Sequence, residues 1–367
     1  MVKAAVMMST GEDLVVHDDI EQAPPGAGEV KVKVVASGVC HSDLSVQNGT
    51  IPLPGPIVLG HEGAGVVEEI GAGVTSVAVG DHVVLSFVPE CGDCYYCNRD
   101  QGFLCEKGAM QAMGGLLDGT TRLTLDGQPL RQMAMCGTFG NYAIVPEISL
   151  VKIDDDVDLR YAALISCGVL TGVGAALNTA DIREGDSVAV VGCGGVGLNV
   201  IQGARIAGAE KIIAVDMFES KLKMAEQFGA TDLVKADEGD AVTNVTQLTG
   251  GRGVDVAFEV IGRGPTIDQA VAMARRGGQV VLVGLPPLDV RVTVPAMLGL
   301  VAAEKTIRGS WYGSSKVAED IPELAARYLD GTLQIDPLVS ARRPLSDAAD
   351  ALAALRGGQV ARTLLIP

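Results

Sequence analysis

Four consecutive residues, Cys40–His41–Ser42–Asp43, put a thiol, an imidazole, a hydroxyl and a carboxyl into one stretch between Val39 and Leu44. Short polar runs usually cap helices, so this one acquires chemical meaning only through partners. Two distant segments offer them: Gly60–His61–Glu62 and Ser166–Cys167–Gly168. Cys40, His61 and Cys167 make a Cys₂His set, one way to build a catalytic zinc site whose fourth position stays open. A second set is denser. Cys91, Cys94, Cys97 and Cys105 follow the spacing C-x₂-C-x₂-C-x₇-C, which can wrap four thiolates around one tetrahedral ion. Structural zinc competes here with disulfides and with an iron–sulfur cluster. The bacterial ferredoxin run has three residues before its fourth cysteine and a proline after it. Here the gap is seven and Glu106 follows. Four thiolates leave no open position, so this ion would hold a lobe together.

A third constellation is glycine-rich. Gly192–Cys193–Gly194–Gly195–Val196–Gly197 lies between the buried-strand run Ser187–Val191 and an apolar helix reaching about Gly208. Asp216 ends the next strand, nineteen residues after Gly197. Glycines at Gly192, Gly194 and Gly197 let backbone N–H groups approach a pyrophosphate at the helix N-terminus, while the carboxylate holds a ribose diol. Asp216 would repel a 2′-phosphate, so NAD is expected over NADP. The alternative is the same packing with no ligand. Cys193 is expected to face the core.

The elements that must position these groups read in two rhythms. Lys3–Met7, Glu29–Ser37, Ala64–Ile70 and His82–Ser86 are short β-branched runs between Gly, Pro and Asp turns, implying a barrel-like or sandwich-like start. Residues 107–136 read as a loop punctuated by glycine, and Phe139–Val145 and Leu150–Ile153 return to strands. Ala162–Leu177 reads as a helix carrying Cys167. From Gly185 strands alternate with helices, the signature of a doubly wound parallel sheet. The tail ends in a helix, Ser346–Leu355, and a strand, Arg362–Ile366, expected to fold back onto the first domain. The expected division is a β-rich domain over 1–168 with its cysteine lobe at about 89–106, a Rossmann domain over 169–309, and a return over 310–367.

Composition excludes several function classes. A formal charge of −17 argues against nucleic acid or an anionic membrane surface as partner. No apolar run is long enough to span a bilayer, and no signal-peptide pattern opens the chain. The eight cysteines are bunched in a large chain, which favours metal ligation over disulfides and a cytoplasmic location.

Over essentially its whole length the chain resembles the zinc-dependent medium-chain alcohol dehydrogenases. The likeness is carried by Gly60–His61–Glu62–Gly63, the four-cysteine lobe, Ile165–Ser166–Cys167–Gly168, Gly192–Gly197 and Phe258–Glu259–Val260–Ile261–Gly262. It is nearest the longer-chain branch, and implies a GroES-like catalytic domain joined to the Rossmann domain, a homodimer and two Zn²⁺ per chain. The resemblance assigns Cys40, His61 and Cys167 to catalytic zinc, and Cys91, Cys94, Cys97 and Cys105 to structural zinc. Glu62 becomes the carboxylate behind the catalytic ion, Asp43 the acceptor that fixes the His61 ring, and Ser42 the hydroxyl on the substrate oxygen. Cofactor contacts fall on His41, Thr171, Gly192, Gly194, Gly195, Val196, Gly197, Asp216, Lys221 and Arg362. Ile51, Phe87, Leu285 and Trp311 match pocket positions, an apolar lining suited to a hydrophobic alcohol.

Two departures stand out. Ser45 occupies the place where many relatives carry a histidine that hands the proton to solvent. Ala109 and Ile51 replace the arginine and acidic residue of relatives that use glutathione adducts, so a thiol-adduct substrate is not expected. The expected activity is reversible oxidation of an alcohol to an aldehyde or ketone, linked to NAD. The alternative is a nicotinoprotein alcohol:acceptor oxidoreductase that keeps NAD bound. A non-catalytic binding protein on this fold is the contrasting class.

Overall fold

The computed structural model describes residues 1–108, 114–358 and 361–367. The chain divides into two compact units, Met1–Gly168 with Lys316–Pro367, and Val169–Ser315. The chain leaves the second unit at Ser315; just before it, the hydroxyls of Ser310 and Ser314 lie 2.9 Å and 2.7 Å from Thr179 Oγ1. Ala109 lies outside the described residues.

The first unit holds a closed barrel of Val2–Met7, Val15–Gln22, Leu123–Leu125, Gln128–Gln132 and Ile57–Val58. The stretch expected to be loop at 107–136 therefore contributes two barrel strands. Their turn is Asp126–Gly127, both residues at positive φ (51° and 71°), the Asp-Gly conformation of a tight hairpin. Leu123, Leu125 and Leu130 are buried against Val2, Val6 and Ile20, so the pairing also completes a core.

A seven-stranded sheet carries the chemistry. Its strand Glu29–Val39 lies antiparallel to Glu62–Ile70 on one side and to Arg362–Ile366 on the other. Gly38 stands opposite both Glu62 and Leu364, so one strand ends where its two neighbours begin. Cys40, His61, Glu62 and Arg362 meet at that edge for this reason. Cys40 then caps the helix His41–Gln47. Leu44 and Val46 of that helix are buried with Ala348, Ala351 and Leu352 of the helix Ala348–Arg356, so the C-terminal segment clamps it in place.

The expected helix at 162–177 runs from Leu159 to Thr179 and contains two π turns, Ile165–Val169 and Ala175–Thr179. The first π turn carries Cys167; such insertions often mark functional positions. Against the expectation that no apolar run could span a bilayer, this helix is long and apolar enough to cross one, because its π turns extend it to 21 residues; 83% of its most apolar window is buried inside the protein, as in a core helix.

The second unit is built on six parallel strands in the order Asp232–Lys235, Lys211–Asp216, Ser187–Val191, Val254–Glu259, Ala274–Leu282 and Thr306–Gly309. By position along the chain this is 3-2-1-4-5-6, the doubly wound order of dinucleotide-binding folds. The three central strands, Ser187–Val191, Lys211–Asp216 and Val254–Glu259, are mostly Val, Ile and Ala and are buried nearly throughout.

Candidate functional site

Cys40, His61, Glu62 and Cys167 converge so that their ligand atoms all lie within 4.8 Å of one another, every residue buried. Asp43 organises the set. Its Oδ2 accepts from Cys40 N at 2.9 Å, and its Oδ1 from Gly60 N at 3.1 Å. The His61 Nδ1 lies 3.1 Å from the same Oδ1 and serves as the third donor. With Nδ1 so engaged, Nε2 is the ring nitrogen turned toward the thiols, the one that would offer its lone pair to a metal. Nε2 is buried and has no hydrogen-bond partner among the described residues. An orphaned imidazole nitrogen beside two thiols is a donor set suited to zinc.

The charges fit a cation. The hydrogen bond from Cys167 holds the Cys40 thiol well below its ordinary value, with help from His61 and Arg362, while the same bond and burial push Cys167 up. Burial pushes His61 down, but Asp43 and the Cys40 thiolate outweigh it and hold the imidazole above its usual value. Burial also pushes the Glu62 carboxyl up to about 8, against the pull of Arg362. Arg362 Nη2 lies 3.5 Å from Glu62 Oε1, and both side chains are almost wholly enclosed. Two glycines make room for this pair. A Cβ at Gly38 would fall 2.1 Å from Glu62 Oε2, and one at Gly168 would fall 2.1 Å from Arg362 Nη2. The pairing of Glu62 with Arg362 and the space at Gly38 and Gly168 had no signal in sequence, since the first three depend on strand register and Gly168 on where the π turn Ile165–Val169 packs.

Ser42 Oγ lies 3.9 Å from Cys40 Sγ, and His41 is exposed one residue earlier on the same helix. Phe87 stands edge-on to the His61 ring, centroids 5.5 Å apart. Ile51 packs on the same buried cluster as Phe87. Leu285 and Trp311 belong to the second unit and are partly exposed.

The second set is different in kind. Cys91, Cys94, Cys97 and Cys105 also bring their sulfurs within 4.8 Å, but only Cys105 is buried. Short 3₁₀ turns, Cys97–Arg99 and Gly102–Leu104, curl the chain around the sulfurs. The N–H of Cys97 lies 3.5 Å from Cys94 Sγ. Backbone N–H groups of Cys97 and Glu106 bring the Cys94 thiol down to about 6. Burial pushes Cys91 up to about 12 and Cys97 to about 11. Lys316 Nζ meets Asp100 Oδ1 at 2.7 Å and ties the lobe to the start of the helix Val317–Leu329.

In the second unit the glycine loop caps nothing with its side chains. The helix Gly195–Ile206 begins at Gly194, which supplies no side-chain cap, and a Cβ there would meet no atom within 4 Å. Open space over uncapped N–H groups is what a pyrophosphate needs. Val196 lies in the first turn of that helix. Asp216 is fixed by two main-chain donors, Cys193 N at 2.8 Å and Phe218 N at 3.0 Å. Lys221 Nζ sits 4.9 Å from the centre of the Phe218 ring. Thr171 lies on the helix Leu170–Gly174 of the same unit, whereas His41 and Arg362 belong to the first. Cys193 is fully buried.

Known proteins match this arrangement from end to end. Residues 26–155 fit the alcohol dehydrogenase GroES-like domain, and residues 195–329 fit the zinc-binding dehydrogenase family. A Mycobacterium tuberculosis protein with the provisional name alcohol dehydrogenase D is 40% identical over 99% of each chain. The chain belongs to the zinc-dependent medium-chain alcohol dehydrogenases. Among solved structures, benzyl alcohol dehydrogenase from Acinetobacter calcoaceticus is 33% identical, covers 100% of this chain and 99% of its own, and superposes with a TM-score of 0.94. A Sinorhizobium meliloti chain, provisionally a zinc-binding dehydrogenase and solved with NADP bound, is 28% identical with a TM-score of 0.82 and covers 100% of this chain and 99% of its own. Within this alcohol dehydrogenase, the first unit holds both metal-ligating sets and the second unit's parallel sheet holds the glycine loop.

Proposed function

We propose that this alcohol dehydrogenase oxidises a hydrophobic alcohol to an aldehyde or ketone, reversibly, with NAD. The observation that carries the reading is the convergence of Cys40, His61 and Cys167 around an unbonded His61 Nε2. Those three residues would hold the catalytic zinc, and the four lobe cysteines a second, structural one. Bound there, zinc supplies a Lewis acid toward an alcohol oxygen, and NAD supplies the hydride acceptor. Asp43 locks the His61 tautomer that turns Nε2 inward. Ser42 Oγ accepts the proton of the substrate hydroxyl and passes its own outward. Ser45 cannot relay it, so the proton leaves through water beside the exposed His41. Arg362 balances the charge of the thiols and of Glu62 behind them.

The anchored Asp216 carboxylate favours a free ribose diol over a 2′-phosphate, which supports NAD. Phe87 and Ile51 offer aromatic and aliphatic surface beside His61, which favours hydrophobic substrates, and benzyl alcohol is the first to try. The protein would act as a homodimer. Leu288, Met297, Leu298 and Val301 stand 71–83% exposed, and the edge strand Thr306–Gly309 pairs on one side only. Eight unpaired cysteines suit the reducing cytoplasm.

The test is turnover of purified protein with NAD and with NADP across benzyl, primary, secondary and terpenoid alcohols, alongside metal analysis. Two zinc ions per chain and NAD-linked activity are expected. Activity with NADP alone would overturn the role of Asp216. Protein that already absorbs as reduced nicotinamide and turns over only with an artificial acceptor would point to the nicotinoprotein alternative. One zinc per chain without turnover would revive a non-catalytic role.

A further inference from the structure

Glu259 is wholly buried at the end of the strand Val254–Glu259, beside the strand that feeds the glycine loop. Every acceptor it owns points at a loop. Its carboxylate accepts from Ile261 N at 3.0 Å, from Gly262 N at 2.8 Å and from Thr266 Oγ1 at 2.6 Å. Its carbonyl accepts from Val283 N at 2.8 Å and Gly284 N at 3.0 Å. One residue thus stitches the loop 260–262, the start of the helix Gly264–Met273 and the segment that leads to Leu285.

The stitched loops lean on the first glycine of the cofactor loop. Gly192 has φ +100°, and a Cβ there would fall 2.5 Å from Ile261 Cγ1. Val260 N donates to Val191 O at 2.9 Å, so the two loops leave adjacent strands in lockstep. On the far side, a Cβ at Gly284 would fall 2.2 Å from Gly262 N, and one at Gly262 would fall 2.6 Å from Leu285 O. These are backbone-on-backbone contacts with no slack. The junction between the first and fourth strands is where a doubly wound sheet reverses its order, and ligands bind at that point.

A buried carboxylate would not be needed merely to close a turn; water or a backbone carbonyl serves that purpose elsewhere. Here it supplies a charge-assisted acceptor to two consecutive N–H groups that would otherwise be orphaned. We propose that Glu259 is a positioning residue for the dinucleotide: by holding the 260–262 loop, it sets Ile261 against Gly192 and so fixes the conformation of the cofactor loop. Glu259 touches no reacting atom. The inference rests on the reading of Gly192–Gly197 and Asp216 as the NAD site.

The test is calorimetric titration of NAD into zinc-loaded, full-length protein, with melting temperature and zinc content measured on the same samples. Glu259→Ala should raise the NAD Kd about tenfold or more, the loss expected when charge-assisted hydrogen bonds vanish. Glu259→Gln keeps one acceptor oxygen and should restore most of the affinity. Thr266→Val removes one donor and should weaken NAD by about twofold to threefold. In turnover the variants should raise the KM for NAD, leaving the KM for alcohol and the zinc content as in the parent. A lower melting temperature with unchanged NAD affinity in Thr266→Val would overturn the proposal even if Glu259→Ala failed to fold, as would unchanged NAD affinity in a folded Glu259→Ala. Parent protein that binds no NAD would instead overturn the reading of the site beneath it.

Discussion

The two metal-ligating sets of this chain each gather their ligand atoms within 4.8 Å of one another and are otherwise opposites. The lobe set spans residues 91–105, offers four identical donors and leaves three of them half-exposed. The other spans residues 40–167, mixes thiols, an imidazole and a carboxylate, and is buried throughout. In the lobe, the local chain path is nearly the whole story, and the turns Cys97–Arg99 and Gly102–Leu104 suffice to gather the sulfurs. In the buried set, three strand ends and a π turn must meet. Each donor there needs its own support: Asp43 behind His61, Arg362 beside Glu62, glycines at Gly38 and Gly168 to make room. A closed set of like donors saturates an ion. A mixed set whose neighbours carry compensating charge leaves chemistry to be done.

Four experiments would break or sharpen that contrast. Cys167→Ser should lower kcat/KM for alcohol about a thousandfold or more, because a Lewis acid contributes several kcal/mol to such a reaction. Its zinc content should fall by one ion while the lobe keeps its own; full activity at full zinc would erase the distinction. Asp43→Asn should cost about 10- to 100-fold in activity or zinc affinity, as loss of a ligand's hydrogen-bond partner commonly does. Its amide N–H₂ would face at least one of three donors now satisfied, and unchanged zinc binding would show that Asp43 only caps a helix. Cys97→Ser should act the other way, lowering the melting temperature by several degrees while kcat of the folded fraction stays within about twofold. A large drop in kcat with an unchanged melting curve would reverse the roles of the two sets.

The last and smallest effect concerns protons. With Cys91 pushed up to about 12 and Cys97 to about 11, both are thiols at neutral pH in the metal-free lobe, whereas Cys94, at about 6, is already largely thiolate. An entering ion must displace a proton from each of the first two, so lobe affinity weakens as pH falls and strengthens as it rises. Zinc titration of Cys167→Ser protein in buffers of different ionisation enthalpy would count those protons. Release of fewer than one per zinc would mean the thiols are already ionised.

Much of this was readable from the chain alone, and the reasons differ by residue. The C-x₂-C-x₂-C-x₇-C run states its own geometry, because close sequence spacing permits only a tight wrap. The strand–glycine loop–helix at Ser187–Ile206 and the acid at Asp216 are equally local, and the periodicity of buried strands and helices exposes them. The hairpin at Asp126–Gly127 was also legible, from an Asp-Gly pair between alternating leucines, but glycine-rich surroundings made it look like loop. Glu259 lay inside a stretch singled out by resemblance, yet nothing in the chain said that its carboxylate faces inward to two backbone N–H groups.

The sequence by itself determined the two rhythms of the fold, the four-cysteine wrap and the glycine loop between strand and helix, since each follows from contacts between near neighbours in the chain. Only the tertiary structure decided that Gly38 stands opposite Glu62 and Leu364, that Arg362 reaches Glu62, and that one Asp43 serves Cys40, Gly60 and His61. Those pairings depend on strand register across more than three hundred residues, from Gly38 to Leu364. Register is set by which faces can be buried together, so no local pattern contains it.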